Sequence, residues 1–128
     1  MEKMHILVVD DEPTLLMTYR LILEIQGHRS SEAQSVKEAK DRLDSEDIDL
    51  LICDLTLGAG ETGTDVIEHA KALFPGLPCA LLTGYNTEDL EDWAREHDVA
   101  LLQKPIPIQG LLTAVNRLLD REAQRKSA

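Results

Sequence analysis

The sequence has little positive charge. Its 128 residues include 13 lysines and arginines against 24 aspartates and glutamates, which leaves a formal net charge of −11. Nucleic acids and anionic membranes are bound mainly through clustered lysine and arginine side chains, so this balance disfavours both classes of partner. Cations and basic protein surfaces fit the charge better.

Cysteine is also scarce, and a long apolar run is missing. Cys53 and Cys79 do not form a Cys-x-x-Cys pair, and no cysteine and histidine residues cluster at the spacing of metal ligands. This pattern excludes a disulfide scaffold and is typical of a reducing compartment. No apolar run approaches the roughly 18 residues of a membrane span, and Met1 to His5 is not followed by a signal-peptide pattern. We therefore expect a cytoplasmic protein whose two thiols are buried in strands.

The sequence does contain a regular alternation of short apolar runs and longer segments of helical period. The runs His5–Asp10 and Asp49–Asp54 are apolar on successive residues, which is typical of strands buried on both faces of a parallel sheet. The order of elements predicts five consecutive βα units in one domain, an α/β fold with helices on both faces of a five-stranded parallel sheet. We place this domain at residues 1–121 and expect the polar tail 122–128 to fray.

The candidate functional residues follow the predicted strands, namely Asp10, Asp11, Asp54, Thr83 and Lys104. The carboxyl ends of parallel strands meet at one edge of the sheet, where ligands of such folds bind. Three carboxylates that lie close together repel one another, which raises their proton affinity or recruits a cation. Oxygen ligands suit Mg²⁺, Mn²⁺ or Ca²⁺ better than Zn²⁺. With a cation bound, one carboxylate can attack a phosphoryl group whose oxygens the ammonium and the hydroxyl would bind.

Each of these residues also has an ordinary structural explanation. Acidic residues before Pro13 suit the start of a helix, and Asp54 and Thr83 suit turns. Lys104 before a proline suits a solvated surface position. The functional interpretation rests on the combination, because four separate strand ends carry the residue types that the chemistry needs.

In order and spacing, these residues resemble the receiver domains of two-component response regulators. The resemblance extends from Met4 to Leu119 and rests on Asp10-Asp11, on Asp54 within LLICDL, on Thr83 within LLTG and on Lys104-Pro105 within LLQKP. It implies the flavodoxin-like doubly wound strand order 2-1-3-4-5. It also implies a cis peptide bond between Lys104 and Pro105.

The same resemblance implies a role for each residue. Asp54 would accept the phosphoryl group, with Thr83 and Lys104 contacting that group. Mg²⁺ would be held by Asp10, mostly through water, by Asp11 and Asp54, and by the backbone carbonyl of Thr56.

The resemblance further implies partners. A sensor histidine kinase or a phosphotransfer protein would donate the phosphoryl group, and an unknown downstream protein would bind the face formed by the fourth helix, fifth strand and fifth helix. That face could also form a homodimer. We expect no direct contact with nucleic acid or membrane, and no enzymatic activity beyond the domain's own phosphorylation and slow dephosphorylation.

Two places depart from the pattern of the family. Gly58 stands four residues after Asp54, where proline is usual, and Gly63 makes the following loop one residue longer. Its glycines predict a mobile loop when metal and phosphoryl group are absent. Leu101 replaces the usual aromatic residue on the fifth strand, and we hypothesise that Tyr85 takes part in gating or in partner contact instead.

Other functions remain possible at this point. Leu101 and the longer loop keep open a phosphorylation-independent protein-interaction module of the same fold. A metal phosphohydrolase would need Asp-x-Asp-Gly after the first strand, and a flavin carrier would need a loop rich in serine, threonine and glycine there. Residues 10–13 supply neither. Both a regulator that acts alone and a segment of a longer regulator fit the sequence.

Overall fold

A computed structural model of the protein describes residues 4–84 and 88–127. Within these residues, strands and helices alternate as predicted. In chain order they are β1 (His5–Val9), α1 (Pro13–Ile25), β2 (Arg29–Ala33), α2 (Val36–Ser45), β3 (Leu50–Asp54), α3 (Gly63–Leu73), β4 (Cys79–Thr83), α4 (Glu88–His97), β5 (Val99–Gln103) and α5 (Ile108–Ser127).

The strands form one parallel sheet in the order β2-β1-β3-β4-β5, which confirms the predicted fold class and strand order. The register pairs Val9 with Cys53 and Asp54 with Leu82. All strands run in the same direction, so their carboxyl ends share one edge of the sheet. This topology brings the residues after β1, β3, β4 and β5 together.

The sheet separates two apolar layers. Side chains of α1 and α5 pack on one face, and those of α2, α3 and α4 pack on the other. The apolar runs of β1, β3 and β4 are buried along their whole length, as their sequence predicts. Both cysteines are free buried thiols, and burial raises the pKa of each, that of Cys79 to about 12. Neither thiol is therefore poised to react.

The segment between β3 and α3 is a small hairpin, which we call the β3–α3 hairpin (residues 55–62). Thr56 pairs with Thr62 in an antiparallel bridge, and the Glu61 N–H donates to the Gly58 carbonyl at 2.9 Å. Ala59 and Gly60 have φ angles of 52° and 79°, as in the tight turns of two-residue hairpins. The extra residue is thus accommodated in a hydrogen-bonded turn, while the mobility of this segment stays a prediction.

The segment that the sequence predicts to fray is helical in the structure. Helix α5 continues to Ser127, and the Glu122 side chain, in the segment predicted to fray, is buried. The reason is the helical period, because Leu111, Val115 and Leu118 mark a face on which Glu122 is the next position. None of the helices described here is both long and apolar enough to cross a membrane.

Candidate metal and phosphoryl site

Three aspartates form a compact group at the carboxyl edge of the sheet. Asp10 and Asp11 follow β1, and Asp54 is the last residue of β3. One carboxylate oxygen of each residue lies within 4.8 Å of the other two. Asp10 and Asp54 are buried, whereas Asp11 is exposed. The structure therefore brings together the predicted acidic residues.

Lys104 reaches the same group from the end of β5. Its Nζ atom lies 3.0 Å from Asp54 Oδ2 and 3.8 Å from Asp10 Oδ2. Its backbone N–H donates to the Thr83 carbonyl at 2.8 Å, which ties the end of β5 to the end of β4. The Lys104-Pro105 peptide bond is cis, as the resemblance implied.

The central carboxylate remains accessible to a reactant. The Asp54 side chain keeps 10% of its surface exposed, and that of Lys104 keeps 28%. Part of the Asp54 carboxylate is therefore open to solvent. Because the site is partly shielded from water, electrostatic interactions with a bound anion are stronger there than in bulk solvent.

Burial shifts the proton affinities in this group. Desolvation raises the pKa of Asp10, and the charge of Asp54 adds to the effect, although the Glu12 N–H donates a hydrogen bond to Asp10 Oδ1 at 3.0 Å. Desolvation alone would lower the pKa of Lys104, but the hydrogen bond to Asp54 and the surrounding carboxylates raise it overall. Lys104 therefore stays protonated, and a negative charge on Asp10 is unfavourable without a cation.

Asp10→Asn is expected to stabilise the metal-free protein at neutral pH by about 1 kcal/mol. The folded-state pKa of Asp10 is raised, so the carboxyl group favours folding when protonated and loses that contribution as pH rises through the folded-state pKa. Asparagine keeps an oxygen for the Glu12 N–H and carries no charge. Urea denaturation in a chelator across pH would show a gain at pH 7 that vanishes below about pH 3.9. A variant that is less stable at pH 7 would contradict this interpretation.

Thr83 lies at the same edge, with its side chain buried at the end of β4. Thr56 lies in the β3–α3 hairpin, two residues after Asp54. Leu101 is half-buried and packs, together with Trp93 of α4, against the apolar layer of α2, α3 and α4. Tyr85, for which we hypothesise a role in gating or in partner contact, lies outside the described residues.

Sequence reasoning missed two close neighbours of the site. A Cβ atom at Gly58 would lie 3.0 Å from Asp11 Oδ2, so the backbone of the β3–α3 hairpin passes directly beside this carboxylate. The Tyr19 side chain lines, with Lys104, a cavity of about 470 Å³ between α1 and the start of α5. Tyr19 falls on the apolar stripe of α1, so its sequence position indicated only a core residue.

The residues present fit a divalent cation. Asp10 Oδ2 is buried and has no hydrogen-bond partner among the described residues, although a buried carboxylate oxygen normally has one. The donors are all oxygens, the set that Mg²⁺ prefers. The three carboxylates and one ammonium leave two negative charges, which one divalent cation would balance.

Residues 6–116 match the response regulator receiver domain family. Among curated proteins, the chain is 33% identical over 120 residues to the alginate biosynthesis transcriptional regulatory protein AlgB of Pseudomonas aeruginosa, covering 92% of this chain and 26% of that protein. It is 29% identical over 120 residues to the transcriptional regulatory protein GlrR of Escherichia coli, covering 93% of this chain and 27% of that protein. The chain thus spans about a quarter of the length of these relatives.

Solved structures of receiver domains share the fold of this chain. A CheY-like receiver domain protein from Methanospirillum hungatei superposes with a TM-score of 0.89 at 26% identity, covering 97% of this chain and 99% of that one. A receiver domain from Clostridium thermocellum superposes with a TM-score of 0.85 at 29% identity, covering 94% and 98%. The class defined by fold and site is the phosphoacceptor switch with a flavodoxin-like sheet. The chain belongs to the receiver domain family of two-component response regulators.

Members of the receiver domain family share several general features. Receiver domains accept a phosphoryl group on an aspartate and bind Mg²⁺ in an acidic pocket. They act as switches between a phosphoryl donor and a downstream effector rather than as enzymes in the usual sense.

Proposed function

We propose that this receiver is phosphorylated on Asp54 in a Mg²⁺-dependent reaction and that phosphorylation changes its affinity for a protein partner. The observation that supports this most strongly is the arrangement around Asp54. Its carboxylate stands beside two further carboxylates and 3.0 Å from the Lys104 ammonium, and part of it is still exposed.

The metal ligands in this proposal are Asp10, Asp11, Asp54 and the backbone carbonyl of Thr56, with Asp10 acting mostly through water. Bound Mg²⁺ would neutralise charge on the carboxylates and on the incoming phosphoryl oxygens. Asp10 Oδ2, which has no hydrogen-bond partner among the described residues, supports a role for Asp10 in this set.

The chain's own residues supply the remaining chemistry. An Asp54 carboxylate oxygen attacks the phosphorus atom of the donor, the bond from phosphorus to the donor's leaving group breaks, and the leaving group departs with that electron pair. Lys104 turns from the carboxylate to the phosphoryl oxygens, and the Thr83 hydroxyl donates a hydrogen bond to them. Water later attacks the phosphorus of this mixed anhydride, the bond between phosphorus and the Asp54 oxygen breaks, and inorganic phosphate and the Asp54 carboxylate are released.

The partners follow from this chemistry. A histidine kinase or a phosphotransfer protein would be the donor, and a protein effector or a second copy of the chain would bind the face of α4, β5 and α5. AlgB and GlrR are transcriptional regulators by name, so control of transcription is one output that a longer protein containing this domain could have.

Leu101 favours a second candidate, a module of the same fold that binds its partner without phosphorylation. An aliphatic side chain at this place lacks the ring that couples the two states in most of the family. If the module binds its partner without phosphorylation, a phosphoryl mimic will leave the affinity for that partner unchanged.

The proposed function is tested by incubating the protein with acetyl phosphate, with and without Mg²⁺, and measuring its intact mass. We expect a gain of one phosphoryl group in the presence of Mg²⁺, removed by hydroxylamine, which cleaves acyl phosphates. A protein that gains no phosphoryl group under any of these conditions would overturn the proposal.

Mg²⁺ is expected to raise the melting temperature, and Asp11→Ala is expected to remove most of that rise. A ligand that binds only the folded state stabilises it by about 2.7 kcal/mol at a hundredfold excess over its dissociation constant. Asp11 is exposed, so its replacement should cost the metal-free protein little. Thermal denaturation over a Mg²⁺ series measures both effects. Asp41→Ala, on the exposed face of α2, is the matched control, and equal shifts in the two variants would contradict the ligand set.

A further inference from the structure

The β3–α3 hairpin is held at its tip from two sides. On one side, the backbone at Gly58 lies directly against Asp11, where a Cβ atom would be 3.0 Å from the carboxylate oxygen. On the other side, the Val36 N–H donates a hydrogen bond to Glu61 Oε1 at 3.2 Å. The hairpin therefore spans the distance between the acidic group and the start of α2.

The contact of Glu61 has a clear physical basis. Val36 is the first residue of α2, and the first amides of a helix have no partner within the helix. The Ser35 side chain accepts from the Glu38 N–H at 3.2 Å, which leaves the Val36 amide to another acceptor. A carboxylate at this position satisfies the amide and interacts favourably with the helix dipole.

The Glu61 hydrogen bond affects the metal site because the β3–α3 hairpin also carries a proposed metal ligand. Thr56, whose carbonyl we propose as a metal ligand, pairs with Thr62 next to the turn that contains Glu61. Gly58 and Gly60 make the turn costly to order, since glycine loses more conformational freedom than other residues. Leu57 of the hairpin is buried in the apolar layer that includes α2, and the Glu61 hydrogen bond adds a polar tie from the turn to the start of α2.

We infer that Glu61 is a positioning residue for the metal site: by binding the Val36 amide it fixes the β3–α3 hairpin, and so it sets the affinity for Mg²⁺ without contacting the ion. The inference rests on the proposed function. Residues that orient metal ligands in this way commonly change metal affinity by about tenfold or more when they are removed.

The test compares Mg²⁺ affinity by titration calorimetry in the wild type and three variants. Glu61→Ala removes the acceptor and the charge, Glu61→Gln removes only the charge, and Glu68→Ala removes the same charge from an exposed position on α3. We expect the dissociation constant to rise about tenfold in Glu61→Ala and to stay within about twofold of wild type in Glu61→Gln and Glu68→Ala.

A metal-free measurement accompanies the titration. Hydrogen exchange of the Val36 amide should be slower in the wild type and in Glu61→Gln than in Glu61→Ala. Equal Mg²⁺ affinity in the wild type and Glu61→Ala would overturn this inference alone. Equal weakening in Glu61→Gln and Glu61→Ala would also overturn it, because the effect would then be one of charge. Failure of the wild type to bind Mg²⁺ would overturn the proposed function as well.

Discussion

Gly63→Ala is expected to destabilise the protein by about 3 kcal/mol or more and to displace the end of β3. Gly63 is buried at the first position of α3, and a Cβ atom there would lie 2.1 Å from the Asp54 backbone oxygen and 2.9 Å from Cys53 Sγ. The nearest obstacle is backbone rather than a flexible side chain. The steric clash with the added Cβ atom can therefore be removed only if the strand that carries Asp54 shifts.

Urea denaturation measures this effect, and Gly110→Ala provides the control. At Gly110, in the first turn of α5, the nearest atom to an added Cβ would be Ile106 Cγ1 at 3.4 Å, an ordinary contact. Alanine favours helix over glycine by about 1 kcal/mol, so this variant should be as stable as the wild type or slightly more so. Similar stabilities of the two variants would show that the close approach at Gly63 is not the constraint we infer.

Asp54→Ala is expected to eliminate phosphoryl incorporation from acetyl phosphate while the protein stays folded. The variant lacks the oxygen that forms the new bond, so the loss should be complete rather than partial. The protein should stay folded because the Lys104 ammonium still has the Asp10 carboxylate 3.8 Å away when the Asp54 carboxylate is removed. Intact mass after incubation with donor and Mg²⁺ checks the first effect, and circular dichroism checks the second.

Asp41→Ala is the control for this experiment as well, because Asp41 is exposed on α2 and pairs only with exposed Lys37 among the described residues. It should gain one phosphoryl group like the wild type. Incorporation into Asp54→Ala at the wild-type level would place the acceptor elsewhere and would refute the role of Asp54.

The site's main members could be predicted from the sequence for a physical reason. Strands buried on both faces give unbroken apolar runs, and Asp10 and Asp54 mark where two such runs end. Once the strands are parallel, their ends meet, so the proximity of these carboxylates and of Lys104 required no knowledge of side-chain packing. The Ser35 cap observed at the start of α2 depends likewise on local sequence, because its partners lie within one helical turn.

What could not be predicted depends on contacts between distant segments. Glu61 and Val36 are joined only because the β3–α3 hairpin and the start of α2 lie side by side in the fold. The close packing of Gly63 on Asp54 also needs the actual path of the loop. The burial of Glu122 differs from the sequence prediction for another reason: its polarity predicts a solvated position, whereas it continues the buried helical period of α5.

The most direct test of the central claim locates the phosphoryl group. Wild-type protein is incubated with acetyl phosphate with and without Mg²⁺, the acyl phosphate is reduced with borohydride, and the peptides are mapped by mass. We expect modification of Asp54 alone, and only when Mg²⁺ is present. Modification of Asp10 or Asp11 in place of Asp54, or equal modification of Asp54 without Mg²⁺, would contradict it.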